Sequence, residues 1–308
     1  MTRTTAIALA TVYVVWGSTY LAIRVMVETI PPLVGAGVRF LLAGLLLGAL
    51  LVARRGSSGL RASSSEVASA AAVATLVLVG GIGLVTVAEQ HVASGIAALS
   101  IASVPLWVLL LRIAARERVG PAAVGAVVLG FGGVVLLLAP GSREEASVAW
   151  LALAVVAAVV TALGAWCAPR WPLPSDAYLA ATIQLVSAGL LTSGLGLAFG
   201  ELPRALHGEA SARSIVAFAY LVVFGSLIAY SAFTWLLQNA PSGLVATYAY
   251  VNPVIALFLG VVLLGERLSA RLALSALIIV ASVVLATRTE VRGKRVWASR
   301  SSGAPTKQ

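Results

Sequence analysis

The chain is short of most of what a water-soluble protein displays. Only 10% of its residues are charged against 60% hydrophobic, and mean hydropathy is +1.01. Soluble domains carry about 25% charged residues, so water is not the main solvent here. A single cysteine, Cys167, excludes a disulfide framework within the chain and a thiolate metal cluster. Two histidines, His91 and His207, both in expected loops, are too few for a zinc or haem site, and no cofactor is expected. The 11 carboxylates are scattered, so the chain lacks the acid–base cluster or nucleophile–base pair that a membrane enzyme needs. A nucleotide-binding loop, which a primary pump needs, is missing too, as are the rings of charge that line many channel filters.

What the chain has is apolar runs. About 20 mostly apolar residues cross roughly 30 Å of hydrocarbon. Ten windows qualify: 6–27, 34–53, 67–87, 93–112, 119–139, 148–168, 177–199, 214–237, 242–264 and 269–287. The first follows MTRTT, is longer than the apolar core of a secretory signal, and reads as a retained span. Short connections hold most of the Pro, Ser and charge, as at Arg54-Arg55-Gly56-Ser57-Ser58 and Trp171-Pro172-Leu173-Pro174. The expected organisation is an N-terminal stub (1–5), five spans (6–140), five more (148–287) and a basic, disordered tail (288–308).

The net charge of +10 is a topology signal and not a nucleic-acid surface. Arg3, Arg54, Arg55, Arg61, Arg112, Arg116, Arg118, Arg170 and the tail's Arg and Lys fall on one side of a ten-span chain. Few basic residues fall on the other side. Cytoplasmic segments collect Lys and Arg, so both termini are expected inside.

Residues 94–105 (SGIAALSIASVP) and 242–253 (SGLVATYAYVNP) are copies offset by 148 positions. Ser94-Gly95 matches Ser242-Gly243 and Pro105 matches Pro253; Gln90 matches Gln238 upstream. A repeat of half the chain, carried by proline-interrupted apolar helices, points to a transporter. Five spans per half is an odd number, so the halves take opposite orientations. The expected fold is all-α, with ten transmembrane helices as two inverted five-helix repeats.

These features, with Trp16-Gly17-Ser18 in the first span, Arg39-Phe40 opening the second and Gly265-Glu266-Arg267 after the ninth, resemble the EamA family of the drug/metabolite transporter superfamily. The resemblance covers residues 6–287. It implies a bacterial inner-membrane exporter of small metabolites or drugs with a central cavity between the halves. One departure stands out: the first half reads Arg116-Glu117-Arg118 where the second reads Gly265-Glu266-Arg267.

Pro105 deprives the Ile101 carbonyl of its helical partner, and Pro253 does the same to Ala249. Both prolines are candidate hinges. Ser226, Tyr230, Thr234 and Gln238 recur at i, i+4, forming one polar stripe; Tyr13, Trp16, Gly17, Tyr20 and Arg24 form another. Ser100, Ser103 and Trp107 share a face, as do Tyr248 and Asn252. Polar side chains within a span avoid lipid, so they face a cavity or other helices. Trp16, Tyr20, Ser100, Trp107, Tyr230, Thr234, Tyr248 and Asn252 are therefore candidate pathway residues. Arg24, Arg39 and Glu89 are the costly charges; they read as an ion-pair cluster or gate at the outer boundary. Gly44 and Gly48, with Gly196 and Gly200, form small-xxx-small steps suited to close packing or to dimerisation.

The expected activity is secondary transport by alternating access. The partners are a small-molecule substrate and the lipid bilayer, with a proton or counter-solute open as coupling species and no nucleic acid. Import or exchange on the same fold, and more remotely a channel or scramblase, remain alternatives. Residues do not specify substrate, direction, or monomer against homodimer.

Overall fold

Several helices begin where a side chain satisfies their first amides. In the computed structural model α1 (Arg3–Met26) is capped by Thr2, whose hydroxyl accepts from Thr5 N. α3 (Ser64–Ala88) opens on a Ser63/Glu66 capping box. α7 (Ala177–Ala198) and the helix from Ala212 are capped by Asp176 and Ser211. Two helices with no cap of their own are served by remote carboxylates. α2 (Pro32–Arg55) borrows Glu201, which accepts from Leu33 N and Val34 N, and α4 (Ser94–Ala114) borrows Glu266. Both carboxylates come from the other half of the chain.

The remaining elements are α5 (Pro121–Leu138), α6 (Val148–Arg170), α8 (Ala212–Tyr220, Leu221–Ile228 and Ala229–Asn239), α9 (Tyr248–Leu264) and α10 (Ala270–Ser301). The structure describes residues 2–117, 119–139, 147–240 and 242–301; the side chains of 234, 237, 238, 242, 243 and 289–301 lie outside the description. Among the described residues every element is helical. Nine helices are long and apolar enough to cross a membrane, and α9 is a shorter apolar helix of 17 residues. The expected ninth span, 242–264, is divided: Ser242–Val245 is a separate turn of helix ahead of α9. The backbone of α10 stays helical to Ser301, past Arg288 where the polar tail was expected to begin. Residues 140 and 302–308 of the expected boundaries lie outside the described residues.

Pairing between helices follows a pattern. α2 packs along α7, α5 along α10, and α4 against α9; α1 packs on α8 and α9, and α6 on α3 and α4. The α2–α7 crossing is antiparallel and depends on glycine. A Cβ on Gly37 would lie 2.4 Å from Ser193 N, one on Gly44 2.9 Å from Val186 N, and one on Gly189 2.5 Å from Leu41 N. The Gly44, Gly48 and Gly196 steps are thus used within the chain. Gly200 is not: with φ +78 and nothing within 4 Å, it forms the turn after α7. Large apolar side chains such as Val128, Val135 and Leu277 are exposed on the outer surface, as lipid contact requires.

Two segments depart from α geometry. Thr75–Gly83 in α3 and Leu221–Ile228 in α8 are π-helical. They occupy matching places in the two halves, and a π turn inside an α-helix often marks a functional site. Each is clasped by the first helix of the other half: Gly80 and Gly81 lie against Val160 and Thr161 of α6, and Gly225 lies against Thr19 of α1.

Candidate substrate pathway

The side chains expected to line a pathway divide into two groups. Trp16 of α1 stands at the centre of the first. Its ring lies 4.8 Å from Phe233, 5.4 Å from Tyr248 and 6.4 Å from Tyr230. Its indole N–H donates to the Gly225 carbonyl (3.1 Å), in the π-helical part of α8. Tyr230 donates to Gln184 Oε1 of α7 (2.8 Å), and the Tyr13 hydroxyl bonds to Thr247. Tyr20 is buried within electrostatic reach of Glu89 and Tyr248. Asn252 is buried next to Gly17, and its Oδ1 has no partner among the described residues. Trp16, Tyr20, Tyr230, Tyr248 and Asn252 therefore meet where α1, α8 and α9 converge.

Ser100 and Trp107 do not join them. Ser100 Oγ returns its proton to Ile96 O (2.9 Å), and Trp107 Nε1 donates to Ser103 Oγ (3.1 Å) while its ring packs edge-on against Phe131. This face of α4 is spent on its own backbone and on α5. The Thr234 and Gln238 side chains lie outside the described residues. The stripe on α8 is also less regular than α spacing implies, because Ser226 falls in the π segment. Its Oγ accepts from Arg39 Nε (2.9 Å) of α2, whereas Tyr230 turns to α7 and α1.

The two prolines sit in different settings. Pro105 occupies the first turn of Val104–Ala114, after a break at Ser103, where a missing N–H costs nothing. Pro253 is inside α9, and the break in that copy falls earlier, at Ala246–Thr247.

Arg24, Arg39 and Glu89 are brought together without forming the expected ion pairs. Arg24 Nη1 donates to the backbone carbonyl of Glu89, not to its carboxylate. Arg39 is buried, and its Nη1 has no hydrogen-bond partner among the described residues. Neither carboxylate oxygen of Glu89 accepts a hydrogen bond from a described residue. Glu28 pairs with Arg213 instead (3.8 Å). A cleft of about 840 Å³ lies beside this cluster, lined among others by Arg24, Glu28, His91, Arg213, Glu266 and Arg271. It opens on the far face from the N-terminus, not at the aromatic group around Trp16. On the near face Glu117 accepts from Arg112 Nε (2.8 Å), Arg170 and Trp166 Nε1, and the Arg112 bond holds its carboxyl below the ordinary value.

Residues of the EamA-like transporter family match this chain at 3–139 and again at 148–288. The chain belongs to that family. It is 38% identical to the "Uncharacterized inner membrane transporter YedA" of Escherichia coli strain K12, over 98% of this chain and 95% of that one. It is 27% identical to the "Uncharacterized transporter YvbV" of Bacillus subtilis strain 168, over 91% and 90%. A solved crystal structure superposes with a TM-score of 0.64 at 20% identity, over 92% of this chain and 97% of that one, which shows a shared fold. The EamA-like chain is accordingly a membrane transporter built of apolar helices, with one family match in each half.

Glu201, Gln184 and Phe233 escaped the sequence patterns, whereas Ser226 was noted as part of the α8 stripe without its partner across the interface. Gln184 alone left a signal, as the one amide side chain within the seventh apolar run. Glu201 and Ser226 act across the interface between halves, which spacing along one helix does not reveal.

Proposed function

We propose that this EamA-like protein is a secondary transporter that exports small organic solutes across the inner membrane, alternating access between two inverted repeats around Trp16, Tyr20, Tyr230, Tyr248 and Asn252. The register of the helix crossings carries the proposal. Gly37 of α2 lies against Ser193 of α7. Val186 lies against Gly44 on the same antiparallel crossing, and α2 and α7 are the second helices of the two halves. An offset of 145 takes Gly80 to Gly225 and Thr161 to Trp16, so the α3–α6 crossing at Gly80, Gly81, Val160 and Thr161 corresponds to the α8–α1 crossing where Trp16 donates to the Gly225 carbonyl. Helix pairings that interchange when the halves are exchanged (α2 with α7, α4 with α9, α5 with α10, and α3–α6 with α8–α1) support a two-fold axis in the membrane plane, as inverted repeats require. The aromatic group lies where helices of both halves meet, and it offers ring faces with a few hydrogen-bonding groups, which suits a small amphipathic solute.

Untargeted metabolite comparison of cells with and without the protein tests this. At least one solute should be enriched outside and depleted inside expressing cells, and Trp16→Ala protein at normal abundance should abolish the difference. Enrichment inside would establish import. No difference in any solute would remove the transport proposal.

A further inference from the structure

The two turns that follow α4 and α9 share a left-handed residue despite different sequences. Arg116 has φ 58 and Gly265 has φ 66, each immediately before a glutamate, Glu117 and Glu266. A non-glycine residue in this left-handed region bears a steric cost of roughly 1–2 kcal/mol. The first half accepts that cost to place Glu117 where the second half places Glu266.

The two carboxylates nevertheless do different things. Glu266 reaches across to the first half and caps α4. It accepts from Ser94 N (2.7 Å), Ser94 Oγ (3.0 Å) and Gly95 N (3.3 Å), and Ser94 is fully buried. This bond set ties α4 to the turn between α9 and α10 on the far face. Glu117, on the near face, is held instead by Arg112, Arg170 and Trp166. Exchange of the halves takes Ser94-Gly95 to Ser242-Gly243, which open the helical turn before α9. At the ends of the first helices of the two halves, an offset of 146 aligns Ala22-Ile23-Arg24 with Ala168-Pro169-Arg170. Arg24 is thus the counterpart of Arg170, and it lines the same cleft as Glu266.

We infer that Glu266 and Glu117 are alternating latches. In the opposite state Glu266 leaves Ser94 and Gly95 for Arg24, while Glu117 leaves Arg170 for the amides of Ser242 and Gly243. The inference rests on the alternating-access proposal and adds the residues that set which face is closed. Each state keeps one carboxylate-capped helix and one carboxylate held by arginine, Glu117 by Arg112 and Arg170 in the present state and Glu266 by Arg24 in the other, so the two exchange bonds of the same kinds. A ligand then needs only a modest preference for one of them to shift the population. The cap is the stronger bond of each state. It is charge-assisted and includes a buried hydroxyl, whereas the Glu117 pairs have side chains 28–41% exposed, where ion pairs contribute little.

Paired spin labels in a Cys167→Ser background test the latches on the full chain in lipid nanodiscs, with no substrate needed. His91→Cys with Leu268→Cys reports the far face, and Ala115→Cys with Asn239→Cys the near face; none of the four is a latch residue. Glu266→Gln weakens the cap of the present state. The longer far-face distance should gain on the order of tenfold in population relative to the shorter one, while the near-face pair shortens. Glu117→Gln weakens the cap of the opposite state, so the far-face pair should collapse to its short distance. Ser94→Ala, which removes one bond and keeps the amides, should act like Glu266→Gln with a smaller amplitude. If each variant moves only its own face, or neither distance responds, the latch assignment is wrong. Solute flux without these distance changes would sink the latches alone; absence of flux would sink the transport proposal.

Discussion

Glu89 is the residue with the least support. It occupies the turn after α3, fully buried, and its carboxylate receives no hydrogen bond from a described residue. Burial pushes its carboxyl well above the ordinary value, and Glu266 pushes it the same way; Arg24 and Arg39 only partly oppose them. The sign follows from linkage. At acid pH the carboxyl is protonated in both folded and unfolded chains and carries no penalty. As pH rises past the ordinary carboxylate range, the unfolded chain ionises freely while the folded chain cannot. Stability is therefore lost with rising pH until the folded-state value is passed, by at most about 1.4 kcal/mol per pH unit for one proton. Thermal midpoints of the detergent-solubilised protein should fall across that window, and Glu89→Gln should flatten the fall; parallel curves for the two proteins would refute the assignment. The charge of Glu89, Arg24 and Arg39 was conspicuous in an apolar sequence. Their arrangement was not, because whether Arg24 meets the carboxylate or the carbonyl of Glu89 depends on side-chain geometry that sequence spacing does not encode.

Between elements, glycine decides how closely helices approach. At Gly37 an added methyl would meet the backbone of α7, which cannot move aside as a flexible side chain can. Gly37→Ala should lower apparent stability by about 1–3 kcal/mol, the usual cost of overpacking. Gly132, with nothing within 4 Å, provides the control: Gly132→Ala should leave the thermal midpoint unchanged or raise it. Equal effects at the two sites would mean that the α2–α7 contact is looser than described. Most helices were legible because an apolar run of about 20 residues has few other solutions in lipid. The π-helical segments were not, since Thr75–Gly83 and Leu221–Ile228 read as ordinary apolar sequence. That local change of pitch is why Ser226 and Tyr230, four residues apart, reach different neighbours. The aromatic group was partly legible. Trp16, Tyr230 and Tyr248 stood out as aromatics on polar faces, whereas Ser100 and Trp107 had the same signature and are consumed within α4 and by α5.

For the molecule as a whole, topology depends on α9. With 17 residues it spans about 25 Å, short of a hydrocarbon layer of roughly 30 Å, and the turn Ser242–Val245 must supply the remaining depth. If α9 crosses, the chain has ten spans and its termini share a face. If it does not, the count is odd, and α10 would have to run parallel to α5, whereas Gly130 lies against Ser282 and Gly133 against Ile279, an antiparallel crossing. The basic residues after α9 favour ten, because Arg288, Arg292, Lys294, Arg295 and Arg300 would then share the face of Arg54, Arg55, Arg112 and Arg170, leaving only Arg267 and Arg271 of those after α9 on the other. Single cysteines in a Cys167→Ser background decide it. Ser58→Cys and Asn239→Cys should resist a membrane-impermeant maleimide in intact spheroplasts and react only after permeabilisation. Leu206→Cys and Leu268→Cys, both on exposed apolar positions of the far face, should react at once. Asn239 and Leu268 flank α9, so matching accessibility at these two positions would show that α9 does not cross and would remove the inverted repeat. Opposite accessibility at that pair, with Ser58 protected, would place both termini in the cytoplasm.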